Sequence, residues 1–110
     1  MIQVTIRMIF EADKKHDAVR NLLSTIGRTR VETGCISCSL ISDAEDAQVV
    51  VYEELWRDEE DLELHQRSDA YRMVSLVFEM ASTPPDIRID TITSSSGMEL
   101  IEKVRMENKK

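Results

Sequence analysis

The first ten residues alternate. Ile2, Val4, Ile6, Met8 and Phe10 fall on one side of an extended chain, with Gln3, Thr5, Arg7 and Ile9 on the other. That period of two marks a strand with one buried face. The period then lengthens: Val19, Leu22, Leu23 and Ile26 recur at i, i+3, i+4 and i+7. A helix is expected there, N-capped by Asp13, running to about Glu32 and stopped by Gly34. Residues 35–41 read as a second strand and the polar residues 42–47 as a hairpin loop. Residues 49–56, β-branched and aromatic, read as a third strand.

Two helices are predicted next. Asp58 caps a short acidic one through about Gln66, its negative first turn matching the helix dipole. Ser68 caps another through about Ala81. Pro84 and Pro85 close the helical region, and residues 87–93 form a fourth strand. Residues 94–97, Ser-Ser-Ser-Gly, break the chain again, and residues 98–105 are a short amphipathic segment, helix or arm.

The order β-α-β-β-α-β predicts an α+β, ferredoxin-like domain with an antiparallel sheet over residues 1–94, followed by a C-terminal arm or short helix over 95–110. Helices cover one face of such a sheet. The other face of the first strand is not uniformly charged, so a second copy packed sheet to sheet is expected to cover it, as a two-fold homodimer. The terminal segment is expected near that contact.

Composition narrows the reading by exclusion. A chain of 110 residues has room for one domain with a modest core, which an oligomeric interface would help. The net charge is −7, with no basic stripe, which argues against nucleic acid and against an anionic membrane surface. The basic run at the tail, Lys109-Lys110, is read as a frayed terminus. No window approaches the ~20 apolar residues of a membrane helix, and the N-terminus opens directly on a strand pattern rather than a signal peptide. A cytoplasmic location is the expectation. Cys35 and Cys38 are spaced as C-x-x-C, but residues three apart on a strand point to opposite faces. Unpaired, packed thiols are therefore expected, with neither a disulfide nor a shared zinc ion.

Three stretches carry a family resemblance: Glu32-Thr33-Gly34-Cys35, then Glu54-Leu55-Trp56-Arg57-Asp58-Glu59-Glu60, then His65-Gln66-Arg67-Ser68. Together they resemble the E-x-G-C, E-x-W-x-D/S and H-x-x-S pattern of the antibiotic biosynthesis monooxygenase family, in matching element order over residues 2–93. The resemblance implies a dimeric α+β barrel with a pocket in each subunit between sheet and helices. It implies an oxygenase that uses no cofactor, neither metal nor flavin. A small quinol-like or polyphenolic aromatic substrate is deprotonated and reacts with O₂ itself. The protein would supply desolvation, phenolate stabilisation and proton removal. The alternative is a non-catalytic dimeric module that binds a small aromatic metabolite. Haem-degrading relatives on this fold resemble one another in an Asn, a Trp and a His where this chain holds Arg7, His65 and Ser75, so haem chemistry is set aside.

Each candidate residue has a chemical and a structural reading. His65, with an ordinary pKa of about 6.5, is either a general base or a space-filling ring that steadies the helix-to-helix turn. Arg7, a cation in an apolar strand, either pairs with Glu54 across the sheet or binds a phenolate, and Arg88 carries the same alternatives. Trp56 shares a strand face with Tyr52 and Glu54, as an aromatic wall with an indole N–H for substrate or as a core residue. Tyr71, Val74 and Phe78 follow helical spacing, widened by Met73, Leu76, Val77 and Met80. Tyr71 and Phe78 are candidate pocket residues, and the helix that carries them is expected to be deeply packed.

Overall fold

The computed structural model describes residues 1–107, so Lys109 and Lys110 lie outside the described residues. The elements are β1 (Ile2–Ile9), α1 (Ala12–Arg30), β2 (Cys35–Ser42), β3 (Val49–Trp56), α2 (Glu59–Gln66), α3 (Asp69–Phe78), β4 (Asp86–Thr91) and α4 (Met98–Glu107). The strands form one antiparallel sheet in the order β2-β3-β1-β4. This is the ferredoxin-like α+β fold, with α4 added after it. No described helix is long and apolar enough to cross a membrane.

The alternation in β1 decides which face is buried. Ile2, Val4 and Ile6 stand opposite Trp56, Glu54 and Tyr52 of β3, and all six are buried. Above them pack Leu22 and Ile26 of α1, Leu62 of α2, and Val74 and Val77 of α3, in one continuous core. The opposite sheet face carries Gln3, Thr5 and Arg7 against Leu55, Glu53 and Val51. These are half-buried or exposed, and Ile41 beside them is exposed.

Several boundaries shift for local reasons. Glu11, not Asp13, occupies the N-cap of α1 and its side chain makes no cap bond; Asp13 sits in the first turn, where its charge still faces the dipole favourably. Helix α3 stops at Phe78 rather than near Ala81. The chain tightens into short turn bonds there, and Ser82 is tied by its N–H and its hydroxyl to the Ile9 carbonyl, at 2.8 and 3.1 Å. That anchor draws the chain off the helical course before the prolines. The undecided segment after Gly97 is a helix, α4.

The opposite-face expectation for the two cysteines is wrong. The β2–β3 register slips between Cys35 and Ser37, where a bulge adds one residue, so Cys35 pairs with Trp56 and Cys38 with Glu54. Both thiols therefore lie on the helix-facing side of the sheet, and both are free.

Gly34 is the point where α1's exit meets α2. It is the one described residue with a left-handed φ among the chain's glycines, at 83°, and a Cβ there would fall 2.6 Å from the Cβ of Asp61. Its carbonyl accepts from Arg57 N–H at 2.8 Å. Backbone conformation and close approach both require glycine. Gly34→Ala is expected to cost about 2–4 kcal/mol, combining left-handed strain with displacement of Asp61. Urea denaturation measures it, and a loss under about 0.5 kcal/mol, the scale of an ordinary surface change, would remove this role.

Candidate functional site

Strand alternation places Tyr52, Glu54 and Trp56 on the same buried face. Glu54 is only 1% exposed, so its carboxylate needs partners from within the protein. It has three. The Tyr52 hydroxyl donates to it at 2.6 Å, the Trp56 indole N–H donates at 3.1 Å, and His65 Nε2 lies 2.6 Å from its Oε2. Cys38 extends the chain by donating its thiol to the Tyr52 hydroxyl at 3.3 Å.

His65 reaches Glu54 from the last turn of α2. Its other nitrogen, Nδ1, lies 2.5 Å from Glu32 Oε2, just beyond the end of α1. The imidazole is 1% exposed and spans the two carboxylates. Two rings fix its plane: Trp56 at 4.6 Å between centroids, tilted 30°, and Tyr71 edge-on at 5.5 Å. Ser68 fixes its backbone. The Ser68 hydroxyl donates to the His65 carbonyl at 2.6 Å and accepts from Tyr71 N–H at 3.2 Å, which caps α3. Asp58 caps α2 in the same way through Asp61 N–H, at 2.9 Å. The motif residues thus divide the physical work among them. The two glutamates and the histidine form the bridge, the glycine admits α2, and Asp58 and Ser68 start the helices that carry His65 and Tyr71.

The proton count at this bridge is constrained. Ionised carboxylates only accept, so a hydrogen bond at each imidazole nitrogen requires two protons across the two contacts. With both carboxylates ionised, the state that satisfies both contacts is an imidazolium between them. Burial alone would pull the His65 pKa down; the hydrogen bond and charge of Glu54, joined by Glu32, outweigh it and raise the pKa above 6.5. The surrounding acids are held neutral. Burial, then the Glu54 charge, pushes the Tyr52 phenol far up. The Cys38 thiol is raised to about 11, first by burial. Tyr71 is raised by burial and by Glu54.

A cavity of about 310 Å³ opens between the end of α1 and α2, lined by Val31, Glu32, Thr33, Asp61, Leu64 and His65. Of the two network members that line it, His65 is covered and Glu32, with its side chain 25% exposed, is the one open to it. Asp61 is buried and bonded to Arg57 at 2.6 Å. Among the described residues no group of three or more His, Cys, Asp and Glu side chains is arranged to hold a metal ion.

The predicted site residues divide. His65, Trp56, Tyr52 and Tyr71 meet around Glu54. Phe78 packs on the core two turns further along α3. Arg7 stands apart: it is exposed, opposite Val51 on the other sheet face, so the expected ion pair with Glu54 does not form. The reason is alternation itself, because Arg7 and Glu54 occupy opposite faces once Val4 pairs with Glu54. Arg88 is also exposed and pairs with Asp90 at 3.1 Å. Sequence reasoning missed Glu32 as a partner of His65, a contact spanning 33 residues. The signal was its place in the E-x-G-C motif.

The comparisons with known proteins agree with this fold. Residues 1–75 match the family model for antibiotic biosynthesis monooxygenase, and the chain belongs to that family. Among solved structures it is similar to Rv0793 of Mycobacterium tuberculosis, 24% identical with a TM-score of 0.79, over 87% of this chain and 98% of that one. It is similar to a conserved protein of Methanosarcina mazei Go1, 27% identical with a TM-score of 0.77, over 81% and 89%. A protein described as an antibiotic biosynthesis monooxygenase is 19% identical with a TM-score of 0.76, over 86% of this chain and 100% of that one. No curated protein sequence matches the chain.

The bridge sets a stability expectation. His65→Ala leaves Glu54 buried without its counter-charge and is expected to cost about 3–5 kcal/mol. The raised folded pKa fixes the sign of the pH dependence. The bridge stabilises fully below the unfolded imidazole value of about 6.5, and its contribution is lost as pH rises through the folded value. Urea midpoints measured from about pH 6 to about pH 9 are expected to fall for the wild type relative to His65→Ala. A parallel pair of curves would contradict the bridge.

Proposed function

We propose that the chain is a homodimeric, cofactor-independent monooxygenase of a small electron-rich phenol, with the substrate hydroxyl bound at Glu32. The observation that carries this reading is the Glu32–His65–Glu54 bridge, buried at one end and open to the cavity at the other. His65 has no free nitrogen to offer a substrate, so the base that meets the hydroxyl is the Glu32 carboxylate. The bridge carries two negative charges against one positive charge. Transfer of the phenolic proton to Glu32 leaves the imidazolium charge to balance the new phenolate. Glu54, Trp56 and Tyr71 act as positioning residues for that imidazolium.

The reaction then balances without an external reductant. A phenolate with a free ortho or para C–H reacts with O₂. One oxygen atom becomes the new ring carbonyl, the other leaves as water, and the ring itself supplies the four electrons. Arg7 takes no part in this reading. It belongs to the face with Gln3, Thr5, Val51 and Leu55, where a second copy would cover half-buried apolar surface and complete the small core.

Oxygen uptake on a panel of hydroquinones, naphthoquinols and anthrones tests the reaction. Turnover is expected on at least one class, and Glu32→Gln is expected to lower it by about 10²-fold or more while binding of a non-reacting analogue changes far less. Saturable binding with no oxygen uptake would establish the binding module instead. Sedimentation at micromolar concentration is expected to show a dimer; a monomer across that range would remove the subunit contact.

A further inference from the structure

Helix α4 has no place in the core just described. It is ten residues long, none of them buried, and Met98, Leu100, Ile101, Val104 and Met106 are all exposed. Its start is built as a helix start, with Gly97 N–H bonded to the Glu99 carboxylate at 2.9 Å. Isolated helices shorter than ~12–15 residues are marginal in water, so a helix of this length needs a surface to pack on. Its own chain does not supply one. The radius of gyration is 16.7 Å and the long axis 55 Å, against about 13 Å expected for a compact chain of this length. Of this chain, 86–87% accounts for 98–100% of two similar structures, a surplus about the size of the segment after β4.

The apolar side of α4 is narrow and flanked by opposite charges. At 3.6 residues per turn Leu100, Ile101 and Val104 form one stripe, with Glu107 beside Leu100 and Arg105 beside Ile101. A matching groove lies between α1 and α3, about 490 Å³, lined by Arg28, Asp69, Arg72, Met73 and Leu76. Met73 and Leu76 expose apolar surface at its floor, and the space outside Gly27 is open. The groove offers a cation from α1, Arg28, and from α3 both an anion, Asp69, and a second cation, Arg72. Glu107 and Arg105 on the two flanks of the stripe complement them.

We propose that α4 is an exchanged arm: its Leu100–Ile101–Val104 stripe docks in the α1–α3 groove of a second copy of this chain, and that copy's arm docks in return. Two-fold exchange covers both stripes and both grooves at once. The break at residues 94–97 supplies the hinge, and the arm adds to the sheet-face contact rather than replacing it. The inference does not depend on the catalytic reading.

Disulfide trapping tests it directly. Met73→Cys and Val104→Cys are made in separate full-length chains, mixed and mildly oxidised, with wild-type chains treated alike. A disulfide between the two introduced thiols can form in this mixture only between chains, and it is expected in high yield, identified by peptide mass. A second measurement guards against chance collisions: Ile101→Asp with Val104→Asp is expected to weaken the dimer at least about 10-fold in sedimentation, without changing the melting of β1 to β4. No cross-link above the wild-type level overturns the exchanged arm, even if a dimer persists through the sheets. So does a cross-link found only within a single chain carrying both cysteines, which would place α4 on its own groove. An unchanged dissociation constant for the Asp variant overturns it as well.

Discussion

The contact on which the site depends is the hydrogen-bonded imidazole between Glu32 and Glu54. It joins the end of α1, the last turn of α2 and the middle of β3, three elements that share little other polar contact. Burying charge is costly, and a buried pair stabilises only when its geometry is good and its remaining lone pairs are satisfied. Both conditions hold. The nitrogen–oxygen distances are 2.5 and 2.6 Å, and Tyr52 and Trp56 supply the other donors to Glu54. The same accounting explains why a tyrosine, a glutamate and a tryptophan occupy alternate positions of one strand. Each points inward, and each needs the others.

The fold was legible in the sequence because its signals are local and periodic. Alternation marked β1, a β-branched and aromatic run marked β3, helical spacing marked α1, and Asp58 and Ser68 announced the caps that the structure contains. The misreadings came from non-local causes. The bulge at Cys35–Ser37 leaves no trace in spacing, and it moved two thiols onto one face. The end of α3 is drawn in by a bond from Ser82 to Ile9, 73 residues earlier.

The site was legible only in part, for the same reason. His65, Trp56 and Tyr52 were visible as motif chemistry, and strand alternation placed Tyr52, Glu54 and Trp56 together. Alternation also forbade the Arg7–Glu54 pair, once the β1–β3 register put Val4 opposite Glu54. Pattern alone did not reveal that Glu32 closes the bridge. That contact depends on Gly34 turning the chain back so closely that α2's Asp61 lies against it. The consequence for chemistry is large, since a histidine with both nitrogens engaged organises charge for its neighbours instead of taking a proton from a ligand. The open end of the network, Glu32, is where the family fold and the candidate reaction meet.

The protonation state of His65 tests this account most directly. Nitrogen-15 spectra of ring-labelled protein, with His65 assigned by comparison with His65→Ala, report each imidazole nitrogen separately. Both His65 nitrogens are expected to carry protons at neutral pH, as the raised pKa requires. A neutral His65 ring at pH 7, with one nitrogen bare, would contradict the two-carboxylate bridge and the assignment of Glu32 as the group that meets the substrate.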